Sequence, residues 1–147
     1  MALGDADGFT LAVQDDKIIP GRTADGLSMD DPFDEGLSTY NGSAVLTLQL
    51  FMSAGGADMG SFKFRLRHQD GAVRLIGYDL NMVQRMTGAT TAISVNFLNR
   101  RMTVATGSIE RDAKTVRTLR TTTPALPLQD IGGAFAFDYA VLRPCAR

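Results

Sequence analysis

With 147 residues, 44% of them hydrophobic and 21% charged, the chain has the makeup of one globular β domain over residues 1–147, and its apolar content argues against disorder. Fifteen basic and sixteen acidic residues leave a formal net charge of −1, so nothing draws the chain strongly to nucleic acid or to an anionic membrane. The single cysteine, Cys145, excludes an intramolecular disulfide and a cysteine-based zinc site.

At the start, Met1-Ala2-Leu3-Gly4-Asp5 shows neither the basic nor the apolar part of a signal peptide, which fits a cytoplasmic chain or a mature form without its leader. No apolar run reaches the ~18 residues of a transmembrane segment. The fragment Gly4-Asp5-Ala6-Asp7-Gly8 sets alternate carboxylates ahead of a glycine turn, the way oxygen ligands are grouped around calcium. Asp5 and Asp7 are therefore the only metal candidates. The rest of a calcium loop does not follow on spacing, and an irregular or turning start over the first ~8 residues is the plainer expectation.

Short strands are expected at Phe9–Val13 and Lys17–Ile19. The acidic group Met29-Asp30-Asp31-Pro32-Phe33-Asp34-Glu35 is broken by a proline and reads as a solvated loop, although paired carboxylates could serve a glycosidase. After the turn Tyr40-Asn41-Gly42, residues 44–51 alternate as a strand and end in the glycine-rich stretch 53–58. Phe62, Phe64 and Leu66 then alternate with Lys63, Arg65 and Arg67, so one strand carries an apolar and a charged face. Asp70-Gly71 separates this run from Val73–Tyr78, a strong hairpin signal.

From Asp79 to Thr91 the spacing predicts a long connection, and long ordered loops are disproportionately functional. It offers Asn81, Arg85, Thr87, Gly88, Thr90 and Thr91 as polar contacts and Met82 and Met86 as soft apolar ones. An equal reading is that it only bridges two strands while its methionines cover the core. Further strands are expected over 92–97, 102–109 and 115–122, where valine and threonine favour a pleated surface. Pro124 and Pro127 interrupt the pattern, Leu128–Ile131 reads as a helical turn ended by Gly132-Gly133, and residues 134–142 read as a last strand. About eight short strands with little helix predict a mostly β, antiparallel sandwich or barrel-like domain.

The catalytic inventory is thin. His68, the sole histidine, shares a strand face with Phe62, Phe64 and Leu66 and reads as a partly buried structural residue. No nucleophile elbow or phosphate loop is present. The expectation is a binding protein, not an enzyme, with no cofactor beyond the calcium option.

The pattern Phe62-x-Phe64-Arg65-x-x-x-Gln69-Asp70-Gly71-x-x-x-Leu75-Ile76-Gly77, continued by Arg85-x-Thr87-Gly88-x-x-Thr91-x-x-Ser94-x-Asn96-Phe97-Leu98, resembles a family of exported bacterial proteins and lipoproteins. Met29-Asp30-Asp31-Pro32-Phe33 fits the same pattern, so the likeness covers roughly residues 30–131. That group is similar to periplasmic inhibitors of invertebrate-type lysozyme and to immunity proteins against peptidoglycan-cleaving effectors of Xanthomonas-like type IV secretion systems. The resemblance implies a β-sandwich in the periplasm that pushes a loop into the cleft of a lysozyme-like peptidoglycan hydrolase. Some such inhibitors carry Ser-Gly-x-x-Tyr for this purpose. The nearest stretch here, Thr87-Gly88-Ala89-Thr90-Thr91, has threonine in both key places, and Tyr40 or Tyr78 could stand in for the tyrosine. The other reading is a carbohydrate- or ligand-binding β module of the cell envelope, against which stands the absence of tryptophan.

Overall fold

The structure, a computed structural model, describes residues 1–21, 23–24, 27–28, 30–33, 36–52 and 56–137. Met29, Asp34, Glu35 and Cys145, and the part of the expected last strand beyond residue 137, lie outside the described residues.

Among the described residues twelve strands follow one another: β1 Ala2–Asp5, β2 Gly8–Leu11, β3 Thr23–Ala24, β4 Leu27–Ser28, β5 Leu37–Tyr40, β6 Ser43–Leu50, β7 Asp58–Gln69, β8 Ala72–Gln84, β9 Ala89–Asn96, β10 Arg101–Ser108, β11 Arg111–Arg120 and β12 Leu126–Pro127. The strands β5 to β11 form one antiparallel meander in sequence order, with β12 paired to the start of β8, while β1–β2 and β3–β4 are separate hairpins. The fold is mostly β and sandwich-like, as the alternation predicts, and the helical content among the described residues is two 3-10 turns.

The hairpin at Asp70-Gly71 forms with Gln69 opposite Ala72 and Phe64 opposite Tyr78. Asp70 and Gly71 have φ of 52° and 73°, and Asn41 and Gly42 repeat the pair at 48° and 68°. Left-handed residues at both central positions match the right-handed twist of the flanking strands, which is why Asn-Gly and Asp-Gly serve there. Between Arg65 and Leu66 the β7–β8 register shifts, leaving Ile76 as the extra residue of a bulge.

One face of the sheet carries the core. Leu48, Phe62, Leu80 and Ile93 stand in one cross-strand row, and Leu46, Phe64, Tyr78, Val95 and Met102 in the next. All nine are buried, as are Leu66, Val73, Leu75 and Phe97, whereas Leu50, also expected inside, is half-buried where β6 ends. Over this face lies a second layer made of Val13 and Ile18 from the N-terminal stretch and of Leu128, Ile131, Ala134 and Phe137 from the C-terminal turns. The Phe137 ring sits 4.9 Å from that of Tyr78 and 5.8 Å from that of Phe64, in edge-on arrangements that aromatic quadrupoles favour.

Several expectations are corrected. Residues 17–19 form bends, because Asp15 Oδ1 accepts the backbone N–H groups of Lys17 and Ile18 and curls the chain. Ala134–Ala136 is a 3-10 turn where a strand was expected, with Ala134 and Phe137 turned down onto the core. His68 is exposed, since it lies one residue pair beyond Arg67–Arg74 towards the hairpin tip. The long connection after Tyr78 does not exist: β8 runs on to Gln84, β9 begins at Ala89, and Arg85–Gly88 alone link them. Residues 79–84 alternate and pair with β7 back to Asp58, so the ladder extends through a stretch that reads locally as loop.

Candidate functional site

The face of the sheet opposite the core is lined by polar and short side chains. Cross-strand pairing sets Gln49, Ser61, Asn81, Ala92 and Ala105 in one row over β6 to β10, and Thr47, Lys63, Asp79, Ser94 and Thr103 in the row beside it. On the other side stand Met59, Val83, Thr90 and Gly107. Because Ser61, Ala92 and Ala105 are short and their neighbours Met59, Lys63 and Val83 are long, the middle row is sunken. The result is a furrow of about 460 Å³ lined by Gln49, Ser61, Asn81, Thr90, Ala105 and Lys114 among others. A second hollow of about 310 Å³ continues it past Asn81 and Ala92 to Lys63, Asp79 and Ser94. A third, at Asp30 and Asp31, shares Gln49 and Phe51 with the first.

Charges on this face are placed unevenly. Arg65 on β7 reaches diagonally over Gly77 to form an ion pair with Asp79 on β8, whose other carboxylate oxygen accepts the Ser94 hydroxyl at 2.5 Å. The crossing depends on Gly77, where an added Cβ would stand 2.9 Å from the Arg65 guanidinium. Asp79 is thus satisfied on both oxygens and fixed in place. Lys63 flanks the same row, and Lys114 lays its stem over Gly107, 3.1 Å from where a Cβ would be, so that its charge borders the far end of the furrow. Asp30 and Asp31 border the near end.

The residues predicted to bind a partner divide into three groups. Asn81, Thr90 and Thr91 lie on strands at the furrow; Asn81 and Thr90 turn their side chains to it, whereas Thr91, opposite Met82, turns its side chain to the core face. Arg85, Thr87 and Gly88 sit in the short β8–β9 turn, and their polar groups are engaged within the protein. Arg85 Nη1 donates to the carbonyls of Met52 at 2.9 Å and Gly56 at 3.3 Å, and the guanidinium lies 5.5 Å over the Phe51 ring. Thr87 donates both its N–H and its hydroxyl to Gln84 Oε1, and Gly88 accepts from the Ile109 N–H at 2.9 Å. Arg85 is therefore a staple between two connections, not a projecting finger. Beside it Met86 is 84% exposed and Ile109 68% exposed. Tyr40, 66% exposed, stands at the Asn41-Gly42 turn at the other end of β6, about 25 Å away by strand rise, and does not join this group.

Asp5 ends β1 and Asp7 lies in the Ala6-Asp7 turn of the β1–β2 hairpin, and the Asp5 side chain lies outside the described residues. Among the described residues no three histidine, cysteine or acidic side chains gather in a manner that could hold a metal. None of their helices is long and apolar enough to cross a membrane. Gln49, Ser61, Lys63, Ala92, Ala105 and Lys114 are furrow residues that the sequence reading passed over. Comparison with protein families, with characterised proteins and with solved structures finds no match to this chain.

Proposed function

We propose that this domain is a non-catalytic binding module that lays an extended polar ligand, a glycan strand of the cell envelope, across its strands in the furrow. The observation that carries this reading is the continuous row Gln49–Ser61–Asn81–Ala92–Ala105, which spans five strands, about 19 Å at the usual strand spacing. Its amide and hydroxyl groups supply both donors and acceptors, as sugar hydroxyls require, while Met59, Val83 and Phe51 give apolar surface for ring faces. The carboxylate of the adjoining hollow, Asp79, is held by Arg65 and Ser94, an arrangement suited to positioning a ligand. Calorimetric titration of soluble glycan strands released from peptidoglycan tests it. Saturable binding that disappears in Ala105→Arg, which fills the floor, supports the reading. Absent binding, or binding equal in that variant, removes it.

A second reading keeps the hydrolase partner, on a different observation. The β8–β9 turn is pinned by Arg85, Thr87 and Gly88, and it presents Met86 beside Ile109 at one end of the sheet. A preorganised apolar knob loses little entropy on docking. In this reading the domain is a periplasmic inhibitor or immunity protein that seats this end in the cleft of a lysozyme-like peptidoglycan hydrolase. Met86→Asp then relieves inhibition by about thirtyfold, the effect of a central anchor worth ~2 kcal/mol, whereas Ala105→Arg leaves it unchanged. Loss of inhibition in Ala105→Arg alone moves the partner to the furrow.

A further inference from the structure

The net charge of −1 conceals a strong separation of charge along the chain. Residues 1–60 hold ten acidic and two basic residues, and residues 61–137 hold five acidic and eleven basic ones. The excess is concentrated at one margin of the sheet, where residues 100–120 carry Arg100, Arg101, Arg111, Lys114, Arg117 and Arg120 against Glu110 and Asp112. The edge strand of that margin is β11, which holds Arg111, Lys114, Arg117 and Arg120 against Asp112; its ten residues include neither glycine nor proline, and residues 111–118 are all exposed. Among the described residues no strand pairs with its outer side. The opposite margin differs. There β5 has four residues, and Asp30, Pro32 and Gly36 lie along β6, with Asp30, Thr47 and Gln49 N–H groups bonded to Phe51, Gly36 and Pro32 carbonyls.

The backbone polarity of β11 can be read from one bond. The Thr121 N–H donates to the Arg100 carbonyl at 3.0 Å. In an antiparallel ladder hydrogen-bonded and non-bonded pairs alternate. With Leu119 opposite Met102 and Arg117 opposite Val104, residues 117 and 119 point their N–H and C=O groups at β10. Those of Val116, Thr118 and Arg120 point outward. We infer that β11 is a strand-addition site, at which an extended acidic polypeptide segment of a partner protein pairs with these outward groups and sets its carboxylates against the arginines. Main-chain hydrogen bonds hold such a segment and side-chain charge selects it. The same charge tells against a second copy of β11 as the occupant, because two strands rich in arginine and lysine would lie within ~5 Å of each other. Positive residues on an edge are a known defence against that self-pairing. This inference is independent of the furrow and of the Met86 end.

The test uses the whole protein and a fluorescein-labelled peptide that alternates glutamate and valine over the length of β11, followed by fluorescence anisotropy. The expected result is saturable binding that weakens about tenfold or more when salt rises from ~0.05 M to ~0.5 M. Val116→Pro removes an outward N–H and no bond to β10, so the variant keeps its fold and loses at least about tenfold in affinity. The same loss is expected on the peptide side when its central valine is replaced by proline, which needs no change in the protein. Equal binding of the proline-bearing peptide shows simple charge attraction and overturns the inference. So does a wild-type protein that binds no acidic peptide, or one whose sedimentation shows β11-dependent dimers that Val116→Pro dissolves.

Discussion

The two faces of the central sheet are built from the same strands, and alternate residues of β7 and β8 serve opposite ends. On the core side, Phe62, Phe64, Tyr78 and Leu80 are sealed beneath Phe135, Phe137 and the C-terminal turns. On the other, Ser61, Lys63, Asp79 and Asn81 line a furrow and its adjoining hollow. The contrast separates what stability requires from what recognition requires. One face is filled by large rings in contact. The other keeps its middle row short, which sacrifices packing area and leaves a channel.

Substitutions on the two faces should therefore differ in kind. Phe64 is fully buried, with its ring 5.2 Å from that of Tyr78. Phe64→Ala is expected to cost roughly 3–5 kcal/mol in urea unfolding, and a loss below ~1 kcal/mol would mean that this face is not the core. Next is Arg85→Ala, which removes two hydrogen bonds to the 51–57 connection and the contact with Phe51. A drop of about 1–2 kcal/mol is expected, visible as a lower melting temperature. The sequence pattern suggested a free contact residue whose removal leaves stability intact, so an unchanged melting temperature would restore that role. Smaller again is Asp79→Asn. The Arg65 partner is 40% exposed, so solvent screening limits the effect to ~0.5–1 kcal/mol, shrinking as salt is added. Ala105→Arg lies at the end of the series. Placed on the open row, it should change stability by no more than ~0.5 kcal/mol while abolishing ligand binding, and a large destabilisation would show that the furrow is packed in the native state.

The alternation of Phe62 to Arg67 and the Asp70-Gly71 signal made the central hairpin and its core face legible from sequence, because period and turn chemistry agree there. The stretch from Asp79 to Thr91 misled because asparagine, methionine and glutamine carry weak strand preference. Its strand character comes from pairing with Asp58–Lys63, itself preceded by glycines. The furrow was legible only in part. Asn81 and Thr90 stood out as polar groups, but Ser61, Ala92 and Ala105 matter as a row of short side chains, and a row exists only once the register of five strands is known. Arg85 and Thr87 were singled out by residue type, whereas their partners at Met52, Gly56 and Gln84 lie in tertiary contact or across a turn that local pattern does not reveal.

We propose the open face, and not the core face or the Met86 end, as the recognition surface. The most direct test is amide chemical-shift mapping while soluble glycan strands are titrated into the protein. The account predicts shifts at Ser61, Asn81, Ala92 and Ala105 that saturate together, with Phe64, Tyr78 and Val95 nearly still. Shifts confined to Arg85–Gly88 and Ile109, or none on addition of glycan, would contradict it.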